Sequence, residues 1–495
     1  MLPAFEHQVI AREKLHLHDF YALLMEQGTG KSRPIVEDWL IRVADGRAQD
    51  LVVFGPKGCY MNWIGTEEEP GEIELWTPPA MRKDIHVMPW ISGGSSTHRQ
   101  GLQNLLFVKK PRFLAMNIEA FNRDGPAREY LHKFCSGRKV IGVVDESTTI
   151  AREDAARTKF FMYHNGYFVS RRILSGMVAP ESPLDLFTQY WFLHPNIIGA
   201  KDFWNFKCRY AIMQKVDYRP RVKREEDEKA GKAHKKANVI VEWRNLEELR
   251  TKINRRSYRV TKDQVLDLPP KVFQYWDVDL TEEQERIYNQ MKEKAFAQLE
   301  AGVFSTAKIK LDQLGKMQHI LCGHVKQEDG ETLYDIPENR TQAVISILHQ
   351  HSGKAIIWAP YPQALRKIVD RLREEFGYDS TVGYWGETQL ADRLAARARI
   401  QRDDLTRFIV SNQSVGKFGN TWTRCDMVIY YANSFDNEDR QQSEDRAHRI
   451  GQTKFVTYID LRARGTLDER LIYVLRKKLR MSETLVGDEF KKWLE

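Results

Sequence analysis

Gly28-Thr29-Gly30-Lys31-Ser32 is the stretch whose residue types and spacing point most directly to a reaction. Two glycines let backbone N–H groups converge on anionic oxygens, a lysine reaches the terminal phosphates, and a serine hydroxyl takes a place on Mg²⁺. Met25 stands where the full phosphate-loop consensus has glycine, which leaves a plain Gly-Thr-Gly surface turn as the alternative. Asp145-Glu146 supplies what a bound nucleoside triphosphate needs next. One carboxylate holds Mg²⁺ opposite the phosphates, and the other orients or deprotonates the attacking water. Arg446 and Arg449 form a third group. Three apart, they would project from one face of a helix, where two guanidiniums suit a γ-phosphate whose charge is redistributing. Glu444 and Asp445 adjoin them, so a salt-bridged helix is the alternative there.

Such residues need rigid supports. Phe20 to Met25 is a continuous apolar run of the kind a buried parallel strand shows, and Ile35 to Val43 suits an amphipathic helix. The glycine turn therefore falls between a strand and a helix. Further apolar runs at Asp50 to Phe54, Pro111 to Met116, Lys139 to Val144 and Arg172 to Leu174 each end in polar residues. Strands spaced by helix-length segments, with polar residues at their carboxyl ends, predict a parallel α/β sheet with its site along one edge. A second set follows at Ala355 to Trp358, Phe408 to Val410, Met427 to Tyr431 and Val456 to Leu461, with helices predicted at Pro362 to Phe376 and Leu390 to Arg402.

Between the two sets the character changes. Trp191, Phe192, Phe203, Trp204 and Phe206 suggest an aromatic-rich helical insertion. Arg221 to Lys236 is a dense charge run, read as a solvated helix or loop, with nucleic-acid contact as the alternative. Leu268-Pro269-Pro270-Lys271 reads as a linker, and Thr281 to Ala301 as a long helix opened by a capping box at Thr281 and Gln284.

Composition narrows the classes. The 495 residues include 76 Lys and Arg against 68 Asp and Glu, a net charge of +8, with a pI near 9.0. That mild basic bias permits a polyanionic partner without demanding one. Cys59, Cys135, Cys208, Cys322 and Cys425 are scattered without CxxC spacing, which argues against a zinc ribbon or a disulfide framework and fits a reducing compartment. The amino terminus has no basic and apolar leader, and nowhere do about 18 apolar residues run together, so the expectation is a soluble, intracellular chain with no membrane partner.

Taken in order, these stretches resemble the Swi/Snf-like family of superfamily 2 helicases. The most specific match is Asp445-Arg446-Ala447-His448-Arg449-Ile450-Gly451-Gln452, which resembles the family's last helicase motif. His7-Gln8 resembles the adenine-reading Q motif, Gly28 to Ser32 motif I, and Pro56 with Asn62-Trp63 motif Ia and the Asn-Trp after it. Asn117-Ile118-Glu119 stands where the family has a Tyr-Glu segment. Asp145-Glu146-Ser147 is similar to motif II, and Leu174-Ser175-Gly176 to motif III. Further on, Ile356-Ile357-Trp358 stands in for motif IV, Gly386-Glu387-Thr388 resembles the Gly-Ser-Thr after it, and Ser411 to Thr423 looks like motif V. Gly465 to Glu469 resembles the segment before the family's closing brace helix. Thr148 replaces the family's histidine, and Gly416 to Trp422 is looser than its Gly-Gly-x-Gly-Leu-Asn-Leu.

The resemblance implies an α/β fold of two tandem RecA-like parallel-sheet lobes with helical insertions. Residues 1–181 would form the nucleotide-binding lobe, 182–270 a helical insertion and return to it, 271–345 a second helical insertion, 346–465 the second lobe and 466–495 a C-terminal brace helix. It implies ATP and Mg²⁺ as cofactors. ATP would lie between the lobes on Gln8, Gly28, Thr29, Gly30, Lys31, Ser32, Gly416 and Gln442, with Mg²⁺ on Ser32 and Asp145. Lys31, Asp145, Glu146, Arg446 and Arg449 would carry hydrolysis, and Lys57, Asn117, Ser411 and Gln413 would grip DNA phosphates without sequence preference. The implied activity is that of a DNA-stimulated ATPase translocating on double-stranded DNA. A strand-separating or annealing motor on forks, bubbles or RNA stays open, as does a nucleotide-switched clamp. No stretch is left for a chromatin-reading or nuclease module, so the expectation is a bare, monomeric motor of bacterial or phage type, acting in the cytoplasm of a bacterium or infected host.

Overall fold

A computed structural model describes residues 3–57, 59–65, 70–176, 182–216, 237–300, 307–326, 333–416, 421–473 and 475–476. The charge run at 221–236 lies outside the described residues, as does most of the expected brace helix, of which residues 467–473 and 475–476 are helical. The chain divides into two compact units, one within Met1–Tyr210 and Arg244–Asp267, the other within Ala211–Trp243 and Leu268–Leu479.

The first unit is built on a seven-stranded sheet. Its strands are β1 (Phe20–Met25), β2 (Asp50–Gly55), β3 (His86–Pro89), β4 (Arg112–Asn117), β5 (Val140–Asp145), β6 (Ser170–Leu174) and β7 (Ser257–Val260). They run in the order β3-β4-β2-β5-β6-β1-β7 with every pairing parallel. Helix α1 (Glu6–Leu17) precedes β1, and α2 (Ser32–Ala44) follows the glycine turn. Trp39 on α2 is fully buried among Met25, Leu23, Leu51 and Phe113. Even Asp50, which opens the buried β2, is satisfied: Arg112 and Arg138 donate to its two oxygens at 2.6 and 2.7 Å. A buried carboxylate persists only when paired in this way.

The second unit holds a six-stranded sheet. Its strands are β8 (Lys271–Asp277), β9 (Lys354–Trp358), β10 (Thr381–Tyr384), β11 (Phe408–Ser411), β12 (Cys425–Tyr430) and β13 (Val456–Arg462), again all parallel, in the order β8-β13-β12-β9-β11-β10. Its helices include α3 (Glu282–Glu300), α4 (Arg340–His349), α5 (Pro362–Phe376), α6 (Leu390–Arg402) and α7 (Asn437–Glu444). Strand β9 is buried throughout. Ala355 and Ile357 face Leu365 and Ile368 of α5, while Ile356 and Trp358 face Trp422 and Ile400. Period-two alternation with both faces apolar is what a central parallel strand requires.

The expected helices at 362–376 and 390–402 form with those bounds, and α3 opens with the expected capping box. Gln284 N–H donates to Thr281 Oγ1 at 3.2 Å, and Thr281 N–H donates to Gln284 Oε1 at 3.1 Å. Two stretches differ from the expectation. Lys271–Asp277, assigned to a helical insertion, is an edge strand paired with β13 from Lys271↔Val456 to Asp277↔Arg462. Its exposed Val272, Phe273 and Tyr275 explain why no buried-strand pattern marks it. The insertion at 182–270 includes helices at Asp185–Leu193 and Phe203–Tyr210, but also an antiparallel hairpin of Ala211–Val216 with Ala237–Trp243.

Candidate functional site

In the first unit the polar strand ends gather at one edge of the sheet. Strand β1 runs through Met25, which is fully buried, so Met25 belongs to the strand and the turn begins after it. Gly28 and Gly30 sit at φ 84° and 80°, left-handed values that favour glycine, on either side of the buried Thr29. A backbone alternating in hand around such positions forms an anion-binding concavity, and α2 starts directly behind it at Ser32. Lys31 Nζ donates to the Met25 carbonyl at 3.1 Å, folding the lysine back over the turn.

Helix α1 grips the turn from outside. His7 Nε2 lies 2.8 Å from the Thr29 carbonyl, and Gln8 Nε2 donates to the Gly30 carbonyl at 3.2 Å. A Cβ at position 30 would stand 2.2 Å from Gln8 Nε2, so the close approach requires glycine. Gln8 Oε1 accepts from Phe5 N–H. The amide thus supports the phosphate loop, while its neighbours Phe5, His7 and Ile10 line, with Tyr258 and Leu266, a cleft of about 570 Å³.

Asp145 ends β5 and Glu146 follows it at φ 50°, ψ 63°. A non-glycine residue in the left-handed region costs about 1–3 kcal/mol and persists only when its surroundings impose it. Here Gln27 Nε2 of the phosphate loop donates to Glu146 Oε1 at 3.1 Å, and Ser147 Oγ donates to Gln189 Oε1 at 2.6 Å. Asp145 Oδ2 accepts from Trp63 Nε1 at 3.0 Å, and its Oδ1 from Glu146 N–H at 3.0 Å. Burial pushes the Asp145 carboxyl above the usual aspartate range; Lys31, Trp63 and the Glu146 amide pull the other way, while Glu72 adds to the rise. At the end of the adjacent β6, Gly176 packs so close that a Cβ there would stand 3.1 Å from Gln27 N. Glu26 Oε2 accepts from Lys262 N–H at 2.8 Å, tying the segment after β7 to the turn.

The donor set fits Mg²⁺. Among the described residues no cluster of three or more His, Cys, Asp or Glu could cage a metal by protein ligands alone. Mg²⁺ on phosphates needs only one or two protein oxygens, the rest coming from phosphate and water. A carboxylate offers about four acceptor sites, and the two neutral donors on Asp145 occupy two of them. Ser32 brings its hydroxyl at the start of α2.

The arginines of the second unit stand differently from the expectation. Helix α7 ends at Glu444, so Arg446 and Arg449 lie in the turns that follow it and not on one helical face. The cause is local: Trp422 N–H draws the Arg446 carbonyl at 2.9 Å, and Gln452 Nε2 takes the Ala447 carbonyl at 3.1 Å, away from any helical partner. Arg446 is buried, and its Nε donates to the Gln442 carbonyl at 3.0 Å. Gln442 itself is buried, with its amide on Glu438 at 2.7 Å. Glu444 accepts from Arg440 at 2.9 Å and from Lys271 at 3.1 Å, and Lys271 also lies 3.6 Å from Asp445.

Residues 70–324, more than half of the chain, match the profile described as the SNF2-related domain. The chain belongs to the SNF2-related family. Its relatives include Protein CHROMATIN REMODELING 4 of Arabidopsis thaliana, 27% identical over 46% of this chain and 11% of that protein. Another is the uncharacterized ATP-dependent helicase MG018 of Mycoplasma genitalium, 24% identical over 94% of this chain and 40% of that one. The chain therefore spans less than half the length of these curated relatives. Among solved structures, the Sulfolobus solfataricus SWI2/SNF2 ATPase core in complex with dsDNA is 19% identical, with a TM-score of 0.40, over 100% of this chain and 95% of that one. Plant, fungal, mammalian and mycoplasma proteins all appear among the relatives, so, contrary to the expectation of a bacterial or phage type, family membership does not single out bacteria or phages.

For this SNF2-related chain, the expected DNA-contacting residues divide. Lys57 is exposed, and its N–H donates to Glu119 Oε2 at 3.1 Å, while Asn117 Oδ1 caps Glu119 N–H at 2.8 Å. These two loops lie at the carboxyl ends of β2 and β4. Ser411 and Gln413 are corrections. Ser411 is fully buried, its hydroxyl engaged by the Tyr384 and Asn412 carbonyls, and Gln413 is 1% exposed with its carbonyl oxygen on Ser434 N–H at 2.8 Å. Both side chains are turned away from solvent. Gly416 is also a packing residue, since a Cβ there would stand 2.5 Å from both Ser411 Oγ and the Trp358 ring. Residues 417–420 of the looser motif V lie outside the described residues. Among the described residues no helix is long and apolar enough to cross a membrane.

Proposed function

We propose that this chain is the ATPase core of a motor that tracks along double-stranded DNA. The observation that carries the reading is the shared edge in the first unit, where the glycine turn of β1 and the Asp145-Glu146 end of β5 are joined through Gln27 and Glu146. ATP would place its phosphates on the backbone N–H groups around Gly28 to Ser32, with Lys31 released from the Met25 carbonyl to the terminal phosphates. Mg²⁺, held by Ser32 and Asp145, would neutralise charge on the phosphate oxygens. Glu146, oriented by Gln27, would accept the proton of the attacking water. Gln8 and the cleft beside α1 would take the base.

Arg446 and Arg449 belong to the other unit. In this reading they are the cations that stabilise charge as the γ-phosphoryl leaves. Lys57 and the Asn117 loop contact phosphates of the duplex, which carries no sequence information. The core acts as a monomer in this reading. The test is ATPase rate with duplex, single-stranded, forked and RNA ligands, beside Lys31→Ala. The reading expects stimulation by duplex DNA and loss of about a hundredfold or more of the rate in the variant. Activity indifferent to nucleic acid would sink it, preference for forks or RNA would redirect it to strand separation or annealing, and tight DNA binding without turnover would favour a clamp. DNA affinity should fall by about 0.9 log units per phosphate contact for each log unit of salt.

A further inference from the structure

The segment that enters the second unit is bound to the turn that carries Arg446 and Arg449. Leu268 is the first residue of that unit's main stretch, and within the next few residues the chain is held twice. The Pro269 carbonyl lies 2.8 Å from His448 Nε2, in the turn itself. Lys271 Nζ reaches Glu444 Oε2 at 3.1 Å and Asp445 Oδ1 at 3.6 Å, the two residues immediately before Arg446. The same ammonium stands 5.6 Å over the Tyr458 ring, whose hydroxyl donates to the Glu444 carbonyl at 2.8 Å. Lys271 also begins β8, paired with Val456, so its backbone is fixed by the sheet.

These contacts have one geometric consequence. Helix α7 ends at Glu444, and the arginine turn beyond it hangs from the helix end by long backbone bonds, Arg446 N–H to the Ser443 carbonyl at 3.3 Å and His448 N–H to the Glu444 carbonyl at 3.4 Å. Its entry is set by where Glu444 and Asp445 are held, and a lysine with three donors can hold both at once. With side chains a quarter and a few per cent exposed, the Lys271–Glu444 pair is shielded from solvent and so less weakened by salt than a surface pair.

We propose that Lys271 is a positioning residue for the arginine turn, and that residues 268–271 and 445–449 move as one piece, so that displacement of the segment entering the second unit is delivered to Arg446 and Arg449. This rests on the motor reading above. The role is distinct from binding ATP or DNA, because Lys271 touches carboxylates of its own unit. It is also distinct from holding the sheet together, because β8 keeps its backbone pairing whatever side chain stands at 271.

The experiment compares the full chain with Lys271→Met and Lys271→Arg, with Lys31→Ala as the inactive reference. DNA-stimulated kcat, KM for ATP, duplex affinity and melting temperature are read for each. The expected result is a kcat lowered by about tenfold or more in Lys271→Met, with KM and duplex affinity within about twofold, because an interaction acting only on the transition state lowers kcat and kcat/KM alike. Lys271→Arg should recover kcat to within about threefold, since a guanidinium can bridge the same two carboxylates. If Lys271→Met keeps the parent kcat, the inference fails. It fails too if kcat falls only in step with the folded fraction read from melting, or if Lys271→Arg is no better than Lys271→Met. Absence of DNA-stimulated activity in the parent chain would instead overturn the motor reading itself.

Discussion

The indole Nε1–H of Trp63 donates to Oδ2 of Asp145 at 3.0 Å, linking the loop after β2 to the end of β5. The ring itself is buried and stacked against Phe113 at 6.2 Å between centroids. Trp63→Phe keeps much of that packing and removes the donor. A hydrogen bond to a metal-ligating carboxylate orients it, and losing such a partner costs about 10- to 100-fold in metal affinity. The Mg²⁺ concentration for half-maximal ATPase should rise by about tenfold or more in Trp63→Phe, with duplex affinity unchanged; a Mg²⁺ titration at fixed ATP checks it.

Asp145 also predicts a dependence on pH. Burial raises its carboxyl above the model-compound value of 3.8, against the pull of Lys31 and Trp63. The folded chain then holds this proton more tightly than the unfolded chain. The group's contribution to stability is full below the ordinary aspartate value and declines as pH rises through the window up to the raised folded value. Stripping this carboxyl of its proton inside the fold is therefore a cost to stability that function retains. Asp145→Asn should abolish ATPase activity yet melt higher than the parent by about 2 °C or more at pH 7, with the difference shrinking as pH falls through that window. Melting curves across pH for the two proteins decide it.

Gly176 is the point where the end of β6 meets the phosphate loop. A Cβ there would stand 3.1 Å from Gln27 N and 3.4 Å from Glu26 Cα, both backbone atoms that cannot swing aside. Gly176→Ala should push the loop by a few tenths of an ångström and disturb the Gln27–Glu146 bond. We expect KM for ATP to rise by about threefold or more, with duplex affinity retained, because small displacements of positioning groups carry large rate costs. Steady-state kinetics against ATP measure this.

Most of the first unit's site is written in local pattern. Phe20 to Met25 has the apolar continuity of a buried strand, Gly28 and Gly30 mark a turn that needs left-handed backbone, and Asp145 closes another apolar run. What local pattern does not carry is partnership across the fold. Trp63 is marked in the sequence only by its resemblance to the Asn-Trp after motif Ia, and Gln27 not at all, until β2 and β1 bring them beside Asp145 and Glu146. Ser411 and Gln413 illustrate the converse, polar residues at a strand end that turn inward because Tyr384 and Ser434 supply their partners. Helical spacing misplaces Arg446 and Arg449 because the helix is stopped by a contact to Trp422, on another segment, and by Gln452 turning back on Ala447 from just beyond it. Lys271 reads as the end of a linker, and only the pairing of β8 with β13 gives it a role.

Behind the arginine turn, Arg440 on α7 joins the helix to the sheet. Its guanidinium lies 3.5 Å over the Tyr430 ring, donates to Asp460 Oδ2 at 3.1 Å, to Asn433 Oδ1 at 2.6 Å and to Glu444 Oε1 at 2.9 Å. Asp460, on β13, is fully buried. Removing the cation leaves that carboxylate with only the more distant Arg476, 3.9 Å from Oδ2, as counter-charge, and breaking a buried pair from one side costs about 3–5 kcal/mol. Asn433 Nδ2 still donates to Asp460 at 2.9 Å, which places the expectation for Arg440→Met at the lower end of that range, about 3 kcal/mol. Arg440→Met combined with Asp460→Leu should recover most of the loss, because the uncompensated charge is then absent and similar volume is filled by apolar groups. Urea unfolding of the parent, single and double variants measures both steps. A single variant as stable as the parent, or a double variant no better than the single, would mean that the pair does not hold α7 against β13.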